Sequence, residues 1–338
     1  MDHAPLGRSG LMVSRLAYGN ALTHGEQLDD RTSFACVRAA LDAGITTFDT
    51  ADAYAGGRAE ELLCRALAGH RREDLVLCTK VGRSKRDDPN AGRLSRKHIV
   101  ESLHGSLGRL GTDHIDLYQA HRFDPETPLE ETMLAFASLV NAGKVLYVGV
   151  SEWPADRIRA AAALAKELGV PLIASQPQYS LLWRVIEAEV VPTCVELGIG
   201  QLVWSPLAGG VLTGKYAPGV PAPENSRAAR SPIGAQSINR WNYLDDAVLT
   251  AVGAVARLAA EAGLSLPRLA IAWVLRNPAV SGALLGASRP EHLRDNVEAL
   301  SVRLDDDFVK LVEEAVEPVV RRDPVLTRDP LGPAARFR

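Results

Sequence analysis

Short apolar runs return along the chain: SRLAYG, ITTFDT, LVLCTK, HIDLYQAH, VLYVGVS, LIASQ, IGQLVWS and GALLGAS. Each has strand length, and polar residues stand at its end. Runs that are apolar almost throughout, rather than in alternation, belong to strands buried on both faces. Between them lie segments with helical spacing, among them RTSFACVRAALDAG, SRKHIVESLHGSLGRLG, PLEETMLAFASLVNAG and PADRIRAAAALAKELG. They close on glycine, which is favoured just past a helix end because it accepts left-handed backbone. Strand and helix in alternation predict an α/β fold with a parallel sheet, because right-handed crossovers bring the chain back in the same direction. Eight strand candidates predict a closed (β/α)8 TIM barrel rather than an open doubly wound sheet. The segment PLGRSGLMVS ahead of the first run predicts an N-terminal hairpin closing the barrel floor.

The length, 338 residues, fits one barrel with insertions, so residues 1–338 read as a single barrel domain. The longest irregular stretch, Lys215 to Leu244, is rich in Pro, Gly, Ser and Asn, as lids and inserts are. From about Arg321 the chain is Pro- and Arg-rich and is expected on the surface.

Composition narrows the function classes. Hydrophobic residues at 46% supply a large core, and a net charge of −3 with both signs interspersed provides no broad positive field. Neither nucleic acid nor a membrane is expected as a partner. The first residues, MDHAPLGRSGLMVSR, carry no apolar stretch of signal-peptide length, and we expect a cytoplasmic protein. Cys36, Cys64, Cys78 and Cys194 show no C-x-x-C spacing and read as reduced, buried thiols. The histidines form no H-x-H or H-E-x-x-H pattern, so no metal centre is expected.

In a barrel the residues that matter chemically follow the C-terminal ends of the strands. Those positions hold Asp49 and Tyr54, Lys80, His121, Ser151 and Glu152, Gln176, Trp204 and Ser205, then Ser288 and Arg289. A tyrosine is a poor acid at neutral pH unless a nearby ammonium stabilises its phenolate. Lys80 could supply that charge, Asp49 could hold Lys80, and His121 could hydrogen-bond a substrate oxygen. Together these groups would protonate a carbonyl oxygen while something else attacks its carbon. Each has a plainer alternative: Asp49 as a helix cap, Tyr54 as loop packing, Lys80 as a solvated strand end, His121 as a satisfied polar residue. No serine or cysteine looks activated, so a hydride donor is the fitting reagent. Trp204 offers a flat face for a nicotinamide ring, or is simply strand-end core; Ser151 and Gln176 could bind the carboxamide. In GASRPEHLRDN, Ser288 and Glu291 make a capping-box pattern with Pro290 in the first turn. The amides of that helix start, with Arg289 beside them, could bind the 2′-phosphate of NADP, and Asp295 and Asn296 could face an adenine edge.

The ordered set FDTADAY, LCTKVG, DLYQAHRFD, KVLYVGVSEW, SQPQYSLL, WSPLAGGVLTGKY, LAIAWVLRNP and LLGASRPEHLRDN resembles the aldo-keto reductases from about Leu6 to Leu304. The branch it looks like includes potassium-channel β subunits and bacterial NADPH-dependent reductases. The resemblance implies a catalytic tetrad of Tyr54, Asp49, Lys80 and His121, with Tyr54 as proton donor. It implies NADPH (NADP+) as cofactor, contacted by Asn20, Ala21, Asp49, Ser151, Glu152, Gln176, Trp204, Ser205, Pro206, Leu207, Ala208, Gly209, Lys215, Arg227, Gly286, Ser288, Arg289, His292, Asp295 and Asn296. Three positions depart from the pattern: Glu152 for Asn or Arg, His292 for Gln, and Ala55 for Gly.

The expected function is NADPH-dependent reduction of a small aldehyde or ketone, with a sugar aldehyde or nucleotide keto-sugar as a substrate guess. Two readings compete: a redox-sensing regulatory subunit, and a Schiff-base lyase using Lys80. A homo-oligomer is left open.

Overall fold

The computed structural model describes residues 1–83, 88–224, 226–230, 238 and 241–327. Eight parallel strands close into a barrel in the order β10-β3-β4-β5-β6-β7-β8-β9. They are β3 (Leu16–Gly19), β4 (Thr47–Asp49), β5 (Val76–Val81), β6 (Ile115–Ala120), β7 (Val145–Val150), β8 (Leu172–Ser175), β9 (Gly200–Trp204) and β10 (Val280–Leu285). Each of the eight apolar runs contributes one strand. Helices α1 (Asp30–Asp42), α2 (Arg58–Leu67), α3 (Arg96–Leu110), α4 (Leu129–Asn141), α5 (Ala155–Leu168) and α6 (Val190–Leu197) wrap the outside, followed by helices at Asp246–Glu261, Leu266–Arg276, Pro290–Val297 and Asp306–Val316. Gly111 and Gly169 end α3 and α5 in left-handed conformation as expected, Gly44 and Gly143 stand one residue past the caps Ala43 and Ala142, and Gly198 ends α6 in the same way. No single helix among the described residues is long and apolar enough to cross a membrane.

β1 (His3–Pro5) and β2 (Met12–Ser14) form the antiparallel hairpin expected beneath the barrel. Leu6 and Val13 cluster with Ala17, Cys78, Leu117, Ile173, Leu202 and Leu284, sealing the lower interior with apolar side chains. At Gly7, φ is +62°, and an added Cβ would come within 2.3 Å of the Gly198 carbonyl oxygen, so only glycine lets the hairpin approach so closely.

Strand alternation then dictates what stands above this layer. Two residues after Cys78 on the same face comes Lys80, two after Leu117 comes Gln119, and two after Ala174 comes Gln176. Their neighbours face outward: Tyr118 packs edge-on against Phe136 of α4, and its hydroxyl donates to the Ile99 carbonyl. The interior is therefore apolar below and polar at the mouth.

All four cysteines are free; Cys36, Cys78 and Cys194 are buried and Cys64 is partly so. Beyond the last helix the chain is tied down at Arg321, whose N–H donates to the Leu182 carbonyl while its own carbonyl accepts from Arg184. Residues 328–338, the remainder of the tail singled out above, lie outside the described residues, as do parts of the Lys215–Leu244 stretch.

Candidate active site

Lys80 lies in the mouth, 1% exposed. Its ammonium donates to Asp49 Oδ1, to the Thr50 carbonyl at 2.7 Å and to the Tyr54 hydroxyl at 3.2 Å. Burial on its own would lower the lysine pKa; the Asp49 carboxylate and the hydrogen bonds to Asp49 and Tyr54 outweigh it and hold the pKa above its ordinary value. An amine held as ammonium is a poor nucleophile, which weighs against the Schiff-base reading. Asp49 is 3% exposed and is not a helix cap. Its second oxygen accepts from Gln176 Nε2 at 2.8 Å and Gln119 Nε2 at 3.3 Å. Gly149 makes room for this pair of amides, since an added Cβ would press on Gln119 Cγ at 3.0 Å.

Tyr54 comes from the loop after β4, partly exposed, its ring edge-on to His121 with centroids 5.7 Å apart. The Asp52 amide donates to the Lys80 carbonyl at 3.3 Å, which ties this loop to β5. Burial, then the charges of Arg122, Lys80 and Arg83, push the His121 pKa well below the usual histidine value, so the imidazole is neutral. Its Nδ1 is enclosed without a hydrogen-bond partner among the described residues.

Ser151 and Gln176, each almost fully buried, are joined by a hydrogen bond from Ser151 Oγ to the Gln176 carbonyl at 2.9 Å. Glu152 Oε1 accepts the backbone N–H of Gln178 and the indole N–H of Trp204, the latter at 2.9 Å. Trp204 is partly exposed at the rim. Asn20 is buried: its Nδ2 lies 3.3 Å from His24 Nδ1 and donates to the Ala59 carbonyl at 3.0 Å, while its Oδ1 has no partner among the described residues. Ala21 is exposed beside it.

A second group gathers where β9 and β10 end. Ser205, Pro206 and Leu207 lead into Ala208–Gly210, where Gly209 and Gly210 have φ of +68° and +97°. Lys215 Nζ lies 3.2 Å from where a Gly210 Cβ would stand, and an Arg227 nitrogen 3.8 Å from that of Gly209. Burial, then Arg227 and Arg289, lower the Lys215 pKa; burial, then Arg289 and Lys215, lower that of His292. Among the described residues none of Lys215, Arg227 and Arg289 pairs with a carboxylate. Glycine backbone beside unpaired cations fits a polyanion such as a dinucleotide phosphate.

One reading at this end is corrected. Ser288 is not the cap of the last barrel helix: the helix starts at Pro290, Arg289 occupies the capping position, and no side chain caps it. Proline fits the first helical position because its missing N–H has no partner there and its φ is preset, which moves the start one residue on. Ser288 Oγ instead lies 3.4 Å from His292 Nδ1, whose other nitrogen is 3.1 Å from Arg289 Nη2. Gly286 and Asp295 are exposed, and Asn296 is 5% exposed.

Several residues around the site were not singled out in advance. Gln119 could have been found by alternation from Leu117. Arg122, which donates to the His121 carbonyl at 2.6 Å and Ser151 Oγ at 3.3 Å, gave no signal in HIDLYQAHR. Behind the Tyr54 loop, fully buried Glu60 accepts from Thr79 at 2.6 Å and Arg109 at 2.7 Å. Asp52 shares this cluster: burial first and the Glu60 charge second raise its pKa to about 7.

The aldo/keto reductase family model matches residues 15–317, and the chain belongs to that family, whose members are oxidoreductases that generally bind NADP(H). A protein of Oryza sativa subsp. japonica named as a probable voltage-gated potassium channel subunit beta is 42% identical over 95% of this chain and 98% of its own. Proteins of Arabidopsis thaliana and Schizosaccharomyces pombe with probable and putative names of the same kind are each 39% identical, covering 96% and 91% of this chain and 98% and 91% of theirs.

Proposed function

We propose that the protein works as a single barrel unit and reduces an aldehyde or ketone to the alcohol with NADPH, Tyr54 acting as general acid. The observation that carries this reading is the Tyr54 hydroxyl at 3.2 Å from a buried ammonium that Asp49 holds in the barrel mouth. The cofactor, when bound, supplies the hydride. Trp204 would give the face for its nicotinamide ring, Ser151 and Gln176 would hold the carboxamide, and Ser205 to Gly209 with Lys215 and Arg227 would hold the phosphates. Gly286, Ser288, Arg289, His292, Asp295 and Asn296 would hold the adenosine end, and Asn20 and Ala21 would contact the cofactor from the loop after β3.

The chain's own part is positioning and proton transfer. Neutral His121 donates a hydrogen bond to the substrate oxygen through Nε2, since its Nδ1 is enclosed. Tyr54 gives its proton to the same oxygen, and Lys80 beside it stabilises the negative charge left on the phenol oxygen. Asp49 keeps the lysine charged and fixed through both of its oxygens. Replacing Tyr54 by Phe should lower kcat by about 10²–10⁴-fold, with the NADPH dissociation constant little changed. Turnover is read from NADPH absorbance across simple aldehydes, ketones, sugar aldehydes and nucleotide keto-sugars. Unchanged turnover in the Phe variant would overturn the assignment.

A second reading is carried by the names of the three relatives: a nucleotide-binding subunit that reports redox state to a channel. Co-purification with a channel chain, without turnover on the same carbonyl panel, would favour it.

A further inference from the structure

Glu152 stands two residues past the end of β7 and holds a left-handed backbone, φ +56°, that a non-glycine residue adopts at some cost. It is 9% exposed, and among the described residues no lysine, arginine or histidine pairs with it. A single oxygen, Oε1, accepts both the Gln178 amide and the Trp204 indole N–H. A carboxylate that accepts an indole N–H leaves the ring richer in electrons. The negative face of such a ring attracts a cation more strongly. A nicotinamide ring is cationic when oxidised and neutral when reduced.

We propose that Glu152, acting through Trp204, sets the relative affinity for the two redox forms of the cofactor and favours the oxidised one. This rests on Trp204 as the nicotinamide platform. Glu152 is then a positioning and charge-tuning residue whose effect on the cofactor runs through Trp204. Its chemistry differs from that of the neutral or cationic side chains the family resemblance leads one to expect at this position. An asparagine or arginine at 152 could not make the indole face more negative in this way. The consequence is a protein that holds the spent nucleotide and reads the ratio of oxidised to reduced cofactor, rather than reduced cofactor alone.

The test is calorimetric titration of the full chain with NADP+ and with NADPH in turn. Glu152→Gln keeps an acceptor for both N–H groups and removes only the charge. It should weaken NADP+ binding about tenfold, the size of a charge effect through a partly screened rim, and change NADPH binding by less than about twofold. Trp204→Phe removes the indole donor while keeping a stacking face. In that background Glu152→Gln should no longer move the ratio of the two constants, and a ratio that still moves overturns the route through the indole. Equal weakening of both forms by Glu152→Gln overturns the proposal and marks a purely structural strap. Failure of the unaltered protein to bind either form overturns it together with the cofactor reading, so the two failures are distinguishable.

Discussion

At Lys80, burial and charge pull in opposite directions, and the partner decides which wins. Removing that partner's charge, or the lysine itself, leaves the other ion stranded under protein. Lys80→Met should therefore cost about 3–5 kcal/mol, the usual price of an uncompensated buried charge. Adding Asp49→Asn should recover much of that, because Gln119 and Gln176 can still hydrogen-bond a neutral amide. Urea unfolding of the single and double variants checks this; an equally unstable double variant would sink it. Two other groups, His24 and Asp52, give opposing pH trends. Burial, only partly offset by the Ala59 carbonyl and Asp30, lowers the His24 pKa to about 4. Between about pH 6.5 and 4 the unfolded chain binds a proton that the native state refuses, so stability is lost as pH falls, by up to about 3 kcal/mol. Asp52, raised to about 7, behaves inversely. The native state keeps a proton that the unfolded chain releases above about pH 4, so stability is lost as pH rises toward 7, by up to about 4 kcal/mol. In the unaltered chain the two largely cancel. Asp52→Asn should gain stability over its parent progressively from pH 4 to 7, and a pH-independent difference in urea midpoint would contradict the shift. Asp49, Tyr54, Lys80 and His121 were legible because each follows an apolar run. Asp52 and Glu60 were not, because their burial depends on how α2 and α3 close over the loop.

The loops that carry the site pay in backbone conformation. Ala55, Glu152, Ser205 and Ala208 all have positive φ, between +47° and +56°, and all follow barrel strands at the mouth. Left-handed backbone costs a residue with a Cβ roughly 1–2 kcal/mol, and such residues gather where loops are held for function. Ala55 stands where glycine was expected from the family pattern, so the sequence showed the departure but not its cost. Ala55→Gly should stabilise the protein by about 0.5–1 kcal/mol, the relief of strain reduced by the greater freedom of glycine in the unfolded chain. Its denaturation midpoint, compared with that of the parent, decides the matter, and a fall would show that the Ala55 methyl packs to advantage. The strands and helices themselves were readable because burial on two faces and a 3.6-residue period leave marks in sequence. The start of the Pro290–Val297 helix was misplaced by one residue because a capping-box pattern and a proline at the first turn compete, and proline's fixed φ wins.

Across the whole molecule the two ends of the site are charged on different terms. At the mouth, Lys80 is neutralised within the protein by Asp49. At the β9–β10 end, Lys215 lies near Arg227 and Arg289, none of the three pairs with a carboxylate among the described residues, and the Lys215 pKa is lowered by burial and by those two guanidiniums. The free protein thus carries a repulsion that a polyanionic ligand would remove. Lys215→Met should leave the melting temperature of the free protein equal or higher, since a crowded cation is gone. The same variant should show a smaller rise in melting temperature on adding NADPH, because stabilisation by a ligand follows the logarithm of its concentration over its dissociation constant. Added salt should shrink the NADPH-induced rise in the parent more than in the variant, since the interaction lost is electrostatic. Scanning calorimetry at low and at physiological ionic strength, with and without nucleotide, separates these effects. If Lys215→Met lowers the free protein's melting temperature and leaves the NADPH-induced rise intact, Lys215 is a structural contact and the anion-binding role assigned to this end fails.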